Sequence, residues 1–88
     1  MEINVIRDAI DELDREIVEL LVQRMALSAE VAEYKKKNNM PILDKAREEA
    51  LLEKIASLSG GMNEYTRGVY LEILNQSKAY QKKLIDKK

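Results

Sequence analysis

The sequence contains no cysteine and no histidine, so it lacks the side chains most often used in nucleophilic and metal chemistry. Disulfides are excluded, and so are the usual zinc, copper and non-haem iron sites, because these sites depend on Cys or His ligands. Catalysis through a Cys or His nucleophile or base is excluded for the same reason. Any chemistry of this chain must therefore rely on carboxylates, amides, hydroxyls, lysines and arginines.

Large aromatic side chains and long apolar runs are also scarce. Only 5% of the residues are aromatic, and all of these are tyrosine. The length of 88 residues suits one domain spanning 1–88, but a large independent core is not expected from so few bulky side chains. No segment approaches the roughly 18 apolar residues of a membrane span, and the acidic start "MEINVIRDAI" is unlike a signal peptide. We therefore expect a soluble, cytoplasmic protein without membrane contact.

The charge of the chain is dense but balanced. Charged residues make up 35% of the sequence, yet the formal net charge is −1. This mixture is typical of exposed helix faces and creates no basic field for nucleic acid. We expect no nucleic-acid partner.

The few proline and glycine residues divide the chain into segments with helical periodicity. Pro41 ends one polar stretch, and Gly60 and Gly61 end another. Asp44 and Asn63 are suitable N-caps. The sequence therefore predicts an all-α fold of one long, one short and one medium helix, at about 3–38, 44–58 and 63–86.

The predicted first helix is too long for a compact monomer. It would extend about 54 Å, whereas a compact chain of this size has a radius of gyration of about 12 Å. Its apolar stripe runs nearly end to end, which favours an intertwined homodimer in which the long helices pack together. The alternative is a first helix broken near Arg24 within a small monomeric bundle, although no Gly or Pro marks such a break. The stripe comprises Ile3, Ile6, Ile10, Leu13, Ile17, Leu20, Leu21, Leu27 and Val31.

Polar residues interrupt the apolar face of each predicted helix. On the first helix, Arg24 and Lys35 lie within about 20° of each other and about 16 Å apart along the axis. Snorkelling or an ion pair explains either cation alone.

The other two helices repeat this feature. Asp44, Arg47 and Glu48 share the apolar face of the second, and Ser77 and Gln81 that of the third. Capping explains Asp44 alone, and a salt bridge explains Arg47 and Glu48. Bonding to the preceding turn explains Ser77, and solvation at the edge of the stripe explains Gln81. Together, these residues either satisfy one another or line a pocket for a polar, anionic ligand.

The pattern resembles the all-α class of chorismate mutases over nearly the full chain. The resemblance is carried by "IRDAIDELDREIVELLVQRMALSAEVAEYKKK", "PILDKAREEALLEKI" and "YLEILNQSKAYQ". It implies an intertwined homodimer of three-helix chains that converts chorismate to prephenate, in phenylalanine and tyrosine biosynthesis, without a cofactor or metal. The matching positions are Arg7, Arg24, Lys35, Asp44, Arg47, Glu48, Ser77 and Gln81.

The resemblance also implies a role for each matching residue. Arg24 and an Arg7 contributed by the partner chain would bind the substrate carboxylates. Lys35 and Gln81 would donate hydrogen bonds to the ether oxygen of the breaking bond, which makes Lys35, Gln81 and Arg24 the catalytic residues. The ring hydroxyl would bind Asp44 and Glu48, the remaining polar lining would be Arg47 and Ser77, and the apolar wall would be Val31 and Ile55.

Two other functions remain open. An isochorismate pyruvate-lyase on the same scaffold would use similar cations for a related pericyclic elimination. A non-catalytic helical dimerisation module would explain Arg24 as a polar residue that fixes register in a heptad seam with Ile10, Ile17 and Val31. It would not explain the polar residues on the inner faces of the other two helices.

Overall fold

The computed structural model describes residues 2–87, and all regular structure within them is helical. Every end of the predicted helices is within one residue of its observed position, and the all-α class is confirmed. A 3-10 turn joins the second α-helix to the third with no coil between them. The elements are α1 (Ile3–Lys37), α2 (Lys45–Ser59), the 3-10 turn Gly60–Met62, and α3 (Asn63–Asp86).

The ends of α2 and the start of α3 have local causes. The carboxylate of Asp44 accepts a hydrogen bond from the backbone N–H of Arg47 at 3.0 Å, so its predicted capping role is confirmed. Gly60 follows α2 with φ +57°, a conformation that favours glycine. The predicted cap at Asn63 is wrong, because the preceding 3-10 turn leads directly into α3 and Met62 occupies the N-cap position.

The long helix α1 is continuous through Arg24, so the alternative of a helix broken there is wrong. The chain measures 54 × 27 × 14 Å, and its radius of gyration is 16.1 Å. A compact chain of this length would have a radius of gyration of about 12 Å. The single chain is therefore an elongated body whose longest dimension is close to the length of α1.

Helix α3 organises the packing, because it contacts both α1 and α2. Ser28 is hydrogen-bonded to Ser77, and Lys36, eight residues later, is hydrogen-bonded to the carbonyl of Lys87, ten residues later. The residue numbers rise together along both helices, so the C-terminal half of α1 runs parallel to α3. Within residues 2–87, the buried apolar side chains are only Ala32, Ile55 and Leu74. The core of one chain is correspondingly small, as the composition predicts.

The N-terminal half of α1 has no covering element among the described residues. Residues 2–20 are all exposed, including every member of the predicted apolar stripe from Ile3 to Leu20. Leu13 and Leu20 are 58% and 62% exposed. The accessible surface of the chain is 7287 Å², whereas a compact monomer of its mass would expose about 5,300 Å².

Two kinds of feature are absent from residues 2–87. No described helix is both long enough and apolar enough to cross a membrane. No group of three or more described acidic side chains is close enough together to hold a metal ion.

Candidate functional site

A cavity of 290 Å³ opens between the three α-helices and the segment before α2. This volume lies near the lower end of the range for small-molecule sites. Its walls are lined by Arg24, Leu27, Ser28, Val31, Lys35, Ile42, Asp44, Arg47, Glu48, Leu51, Leu74, Ser77, Lys78 and Gln81.

Seven of the eight predicted site residues line this cavity. The exception is Arg7, which lies on the exposed N-terminal half of α1. Arg7 and Arg24 are 17 positions apart on one continuous helix, which separates them by about 25 Å along its axis. An arginine side chain cannot span that distance, so Arg7 does not reach the cavity of its own chain.

Helical spacing brings the lining residues together. On α1 the polar positions Arg24, Ser28 and Lys35 fall on one face, at intervals of four and seven residues. On α3, Ser77 and Gln81 are one turn apart and face the same space. The site therefore depends on the register between helices as well as on each helix.

The ammonium group of Lys35 is held by the segment that precedes α2. Its Nζ donates a hydrogen bond to the carbonyl oxygen of Ile42 at 2.6 Å. An ammonium has three N–H donors, so two remain for a ligand. Neither Lys35 nor Arg24 forms an ion pair with another described residue, and both are half-buried at the cavity wall.

Glu48 forms an ion pair across the cavity wall with Lys78. Lys78 Nζ lies 3.0 Å from Oε2 of Glu48 and 3.4 Å from Oε1. The pair is half-buried, and it links α2 to α3. The sequence-based alternative of a salt bridge is thus confirmed for Glu48, whose partner is a lysine from another helix, whereas Arg47 forms no ion pair with a described residue.

A buried polar cluster forms the α1–α3 side of the cavity. Ser28 Oγ and Ser77 Oγ are 2.7 Å apart, and Gln81 Nε2 donates to Ser77 Oγ at 3.1 Å. These three residues are only 5%, 5% and 6% exposed. The other amide atom, Gln81 Oε1, is buried without a hydrogen-bond partner among the described residues. The hydroxyl of Ser77 thus contacts a serine of another helix, and among the described residues it forms no hydrogen bond to its own preceding turn.

The charges of the lining favour an anionic ligand. Four cationic side chains and two carboxylates line the cavity, which gives a formal charge of +2 within one chain. Hydroxyl and amide groups complete the polar surface, and leucine and valine side chains supply apolar walls. The arrangement can bind, orient and stabilise negative charge, and it offers no His or Cys nucleophile.

Sequence reasoning missed several residues of this site. Ser28 and Lys78 carry no local motif, and their roles depend on partners 49 and 30 positions away. Ile42 contributes only a backbone carbonyl, which sequence patterns do not identify. The expected wall residue Ile55 lies in the small core, and Leu51, one turn earlier on α2, lines the cavity.

Comparisons with known proteins find similar sequences over most of the chain. The family model described as chorismate mutase type II matches residues 6–82. A chorismate mutase from Methanocaldococcus jannaschii is 32% identical over 84 residues, which cover 92% of this chain and 85% of that protein. No solved structure matches the chain significantly.

Several relatives are larger proteins. A bifunctional chorismate mutase/prephenate dehydratase from Buchnera aphidicola of Schizaphis graminum is 40% identical over 84 residues, which cover 92% of this chain. One from Aquifex aeolicus is 35% identical over an alignment of 89 positions, gaps included, that covers 94% of this chain. The chain spans only 22% and 25% of the length of these two proteins.

Proposed function

Because the chain belongs to the chorismate mutase type II family, we propose that it converts chorismate to prephenate in the cavity between its helices. The observation that carries the proposal is the convergence of seven residues, predicted from three separate segments, on one cationic cavity. Chorismate is a dicarboxylate with a ring hydroxyl, and the cavity offers cations, acceptors and apolar walls in one space. The product would enter aromatic amino acid biosynthesis.

The reaction is an intramolecular [3,3] rearrangement, and it suits this set of side chains. One carbon–carbon bond forms while the ether carbon–oxygen bond breaks, so no nucleophile, base or redox group is required. The protein needs to hold the enolpyruvyl arm over the ring and to stabilise the charge that develops on the ether oxygen. Arginine, lysine and amide donors meet both requirements.

Each lining residue has a role in this proposal. Arg24 binds a carboxylate, and Lys35 donates to the ether oxygen and also assists with a carboxylate. The amide of Gln81 is the second donor to the ether oxygen. Asp44 and Glu48 accept a hydrogen bond from the ring hydroxyl. The remaining polar lining comes from Arg47 and Ser77.

The active assembly in this proposal is an intertwined homodimer. Support comes from the exposed apolar face of α1 at residues 2–20 and from the excess of about 2,000 Å² over the surface of a compact monomer. A stable interface buries about 800 Å² on each partner, so this excess is large enough for one. A second copy of α1 provides an apolar stripe of the same length. The cytoplasmic location stays a prediction.

The dimer also provides a position for Arg7. Arg7 is about 25 Å along α1 from Arg24 and cannot serve its own cavity. When two long helices pack side by side in opposite directions, the N-terminal half of one lies beside the C-terminal half of the other. Arg7 of the partner subunit would then reach the cavity that contains Arg24 and bind a substrate carboxylate.

The rival functions make different predictions for one experiment. The purified protein is incubated with chorismate and, separately, with isochorismate, and the products are separated by chromatography. The proposal predicts that chorismate disappears and prephenate accumulates without pyruvate. Pyruvate and salicylate from isochorismate alone would indicate the lyase, and a folded dimer that turns over neither substrate would support the dimerisation module.

A further inference from the structure

The three buried polar side chains of the described chain form one hydrogen-bonded cluster. Ser28, Ser77 and Gln81 are each at least nine-tenths buried, and their polar atoms are linked by contacts of 2.7 and 3.1 Å. Burying three polar groups together is costly unless they satisfy one another. This cluster comes close to that condition but leaves one atom, Gln81 Oε1, without a partner among the described residues.

The protons of the cluster can be counted. Each serine hydroxyl has one proton to donate, and the amide of Gln81 has two. If the hydroxyl of Ser28 donates to Ser77 Oγ, the hydroxyl proton of Ser77 needs a different acceptor. With Gln81 Nε2 donating to Ser77 Oγ, that proton finds no acceptor within the cluster, and Oε1 finds no donor.

The opposite orientation of the amide removes both faults. A half-turn about the Cγ–Cδ bond of Gln81 exchanges the amide nitrogen and oxygen with little change in shape. The hydroxyl of Ser28 then donates to Ser77, and the hydroxyl of Ser77 donates to Oε1 of Gln81. Both N–H groups of the amide then lie where Oε1 is buried in the present orientation, so they need an acceptor from outside the cluster, at the cavity wall that Gln81 lines.

We propose that Ser28 is a positioning residue that acts through Ser77 to turn the amide N–H groups of Gln81 toward the ligand. This inference rests on the proposed function, because it names how one donor to the ether oxygen is oriented. By donating to Ser77 Oγ, Ser28 competes with the amide nitrogen of Gln81 for that oxygen. The hydroxyl of Ser77 is then left to donate its own hydrogen bond to Oε1 of Gln81. An acceptor in the cavity completes the chain of hydrogen bonds.

This role makes Ser77 a link between helices. In the sequence-based interpretation, Ser77 belongs to the polar lining that binds the substrate. In the structure its Oγ lies between Ser28 and Gln81, so its hydroxyl is engaged on two sides. The ligand therefore meets the amide of Gln81, whose direction Ser28 and Ser77 determine.

A double-mutant cycle on turnover tests the relay. Ser28→Ala should lower kcat about three- to tenfold, the size expected from one neutral hydrogen bond, with a smaller change in KM. Gln81→Met removes the amide and should lower kcat about 100-fold. In the Gln81→Met background, Ser28→Ala should change kcat less than about twofold, because nothing remains to be oriented. An equal loss in both backgrounds would overturn the relay.

Ser59→Ala is the matched control. Ser59 Oγ lies 2.6 Å from Thr66 Oγ1, so this pair also joins two hydroxyl groups on neighbouring helices, but it does not line the cavity. Its removal should leave kcat and KM unchanged. Alanine is a stronger helix former than serine, so both serine variants should fold. A loss of kcat in Ser59→Ala as large as in Ser28→Ala would show a structural effect and contradict the proposal.

A measurement without substrate separates this inference from the proposed function. The side-chain amide resonances of Gln81, observed by nitrogen–proton NMR, should shift in Ser28→Ala and stay fixed in Ser59→Ala. If the wild-type protein turned over no chorismate, the proposed function would fail, and these resonances would still decide whether the relay exists. Unchanged Gln81 resonances in Ser28→Ala would overturn the relay even in an active enzyme.

Discussion

Replacing Lys35 with methionine removes the ammonium group while keeping an unbranched side chain that suits a helix. In the proposal, this ammonium donates to the ether oxygen as negative charge develops there. A donor directed at transition-state charge is worth about 2.7–4 kcal/mol, which corresponds to a loss of about 10²- to 10³-fold in kcat. KM should change less, because the interaction strengthens mainly in the transition state.

The same variant also loses a structural contact, which must be separated from the catalytic effect. Lys35 Nζ donates to the carbonyl of Ile42 at 2.6 Å and so holds the segment before α2. The neighbouring residue Lys36 is a matched control, because its Nζ lies 3.4 Å from the carbonyl of Lys87 and away from the cavity. Lys36→Met should therefore remove a lysine–carbonyl contact without lowering kcat.

The assay is the initial rate of chorismate disappearance, measured on variants whose helicity and dimer mass equal those of the wild type. Lys35→Met should be nearly inactive, and Lys36→Met should be nearly normal. A folded, dimeric Lys35→Met protein with kcat within about threefold of the wild type would refute the electrostatic role, because that loss is far below the value of one transition-state donor.

Three other variants test separate parts of the account. Gln81→Glu should lose activity at neutral pH and regain part of it on acidification, because a carboxyl group donates a hydrogen bond only when it is protonated; a flat pH–rate profile would exclude the donor role. Leu13→Glu places a charge in the exposed apolar stripe, where Leu13 is 58% exposed, and should yield an inactive monomer by light scattering; an active dimer would contradict the proposed interface. Lys78→Met should raise KM a few-fold, because the cavity loses one cation and Glu48 its ion-pair partner, whereas Lys82→Met removes an exposed pair with Asp86 on the same helix and should leave KM unchanged.

Much of the helical architecture could be predicted from local sequence. The proline and glycine positions, together with helical periodicity, predict helix ends within one residue of those observed, and the cap at Asp44 follows from a carboxylate at the start of a helix. The prediction of a cap at Asn63 is wrong because a cap residue requires a non-helical backbone, and Asn63 is helical. The 3-10 turn Gly60–Met62 leads into Asn63 with a helical backbone conformation.

The site was only partly predictable, since its residues meet through packing between helices. Arg24 and Lys35 could be paired because they share a single helix face. The contact of Ser28 with Ser77, and that of Lys78 with Glu48, depend on how far one helix is shifted along another. The periodicity of residues within one helix does not determine how far that helix is shifted along its neighbour.

The exposed stripe of α1 differs from what its sequence pattern predicts. The sequence pattern predicts that this stripe is buried, and one chain leaves it in solvent. The pattern describes the state in which the protein functions, which in our proposal is a dimer. The same holds for Arg7, because the role proposed for it requires a second chain.

The most direct test of the central claim, a chorismate mutase site shared by two subunits, is complementation between two inactive variants. Arg7→Ala and Arg24→Ala are purified separately, mixed, allowed to exchange subunits, and assayed for chorismate turnover. Each mixed dimer contains one cavity with an intact Arg24 and an intact Arg7 of the partner subunit. As a control, Arg24→Ala is mixed with Lys35→Ala, a pair that forms no intact cavity because both residues belong to the same chain.

We predict that the first mixture recovers about a quarter of the wild-type rate, because half of the dimers are mixed and each has one of two sites intact. The control mixture should remain inactive. If native mass spectrometry showed mixed dimers of Arg7→Ala and Arg24→Ala, and the activity stayed at the level of the separate variants, the shared active site would be contradicted.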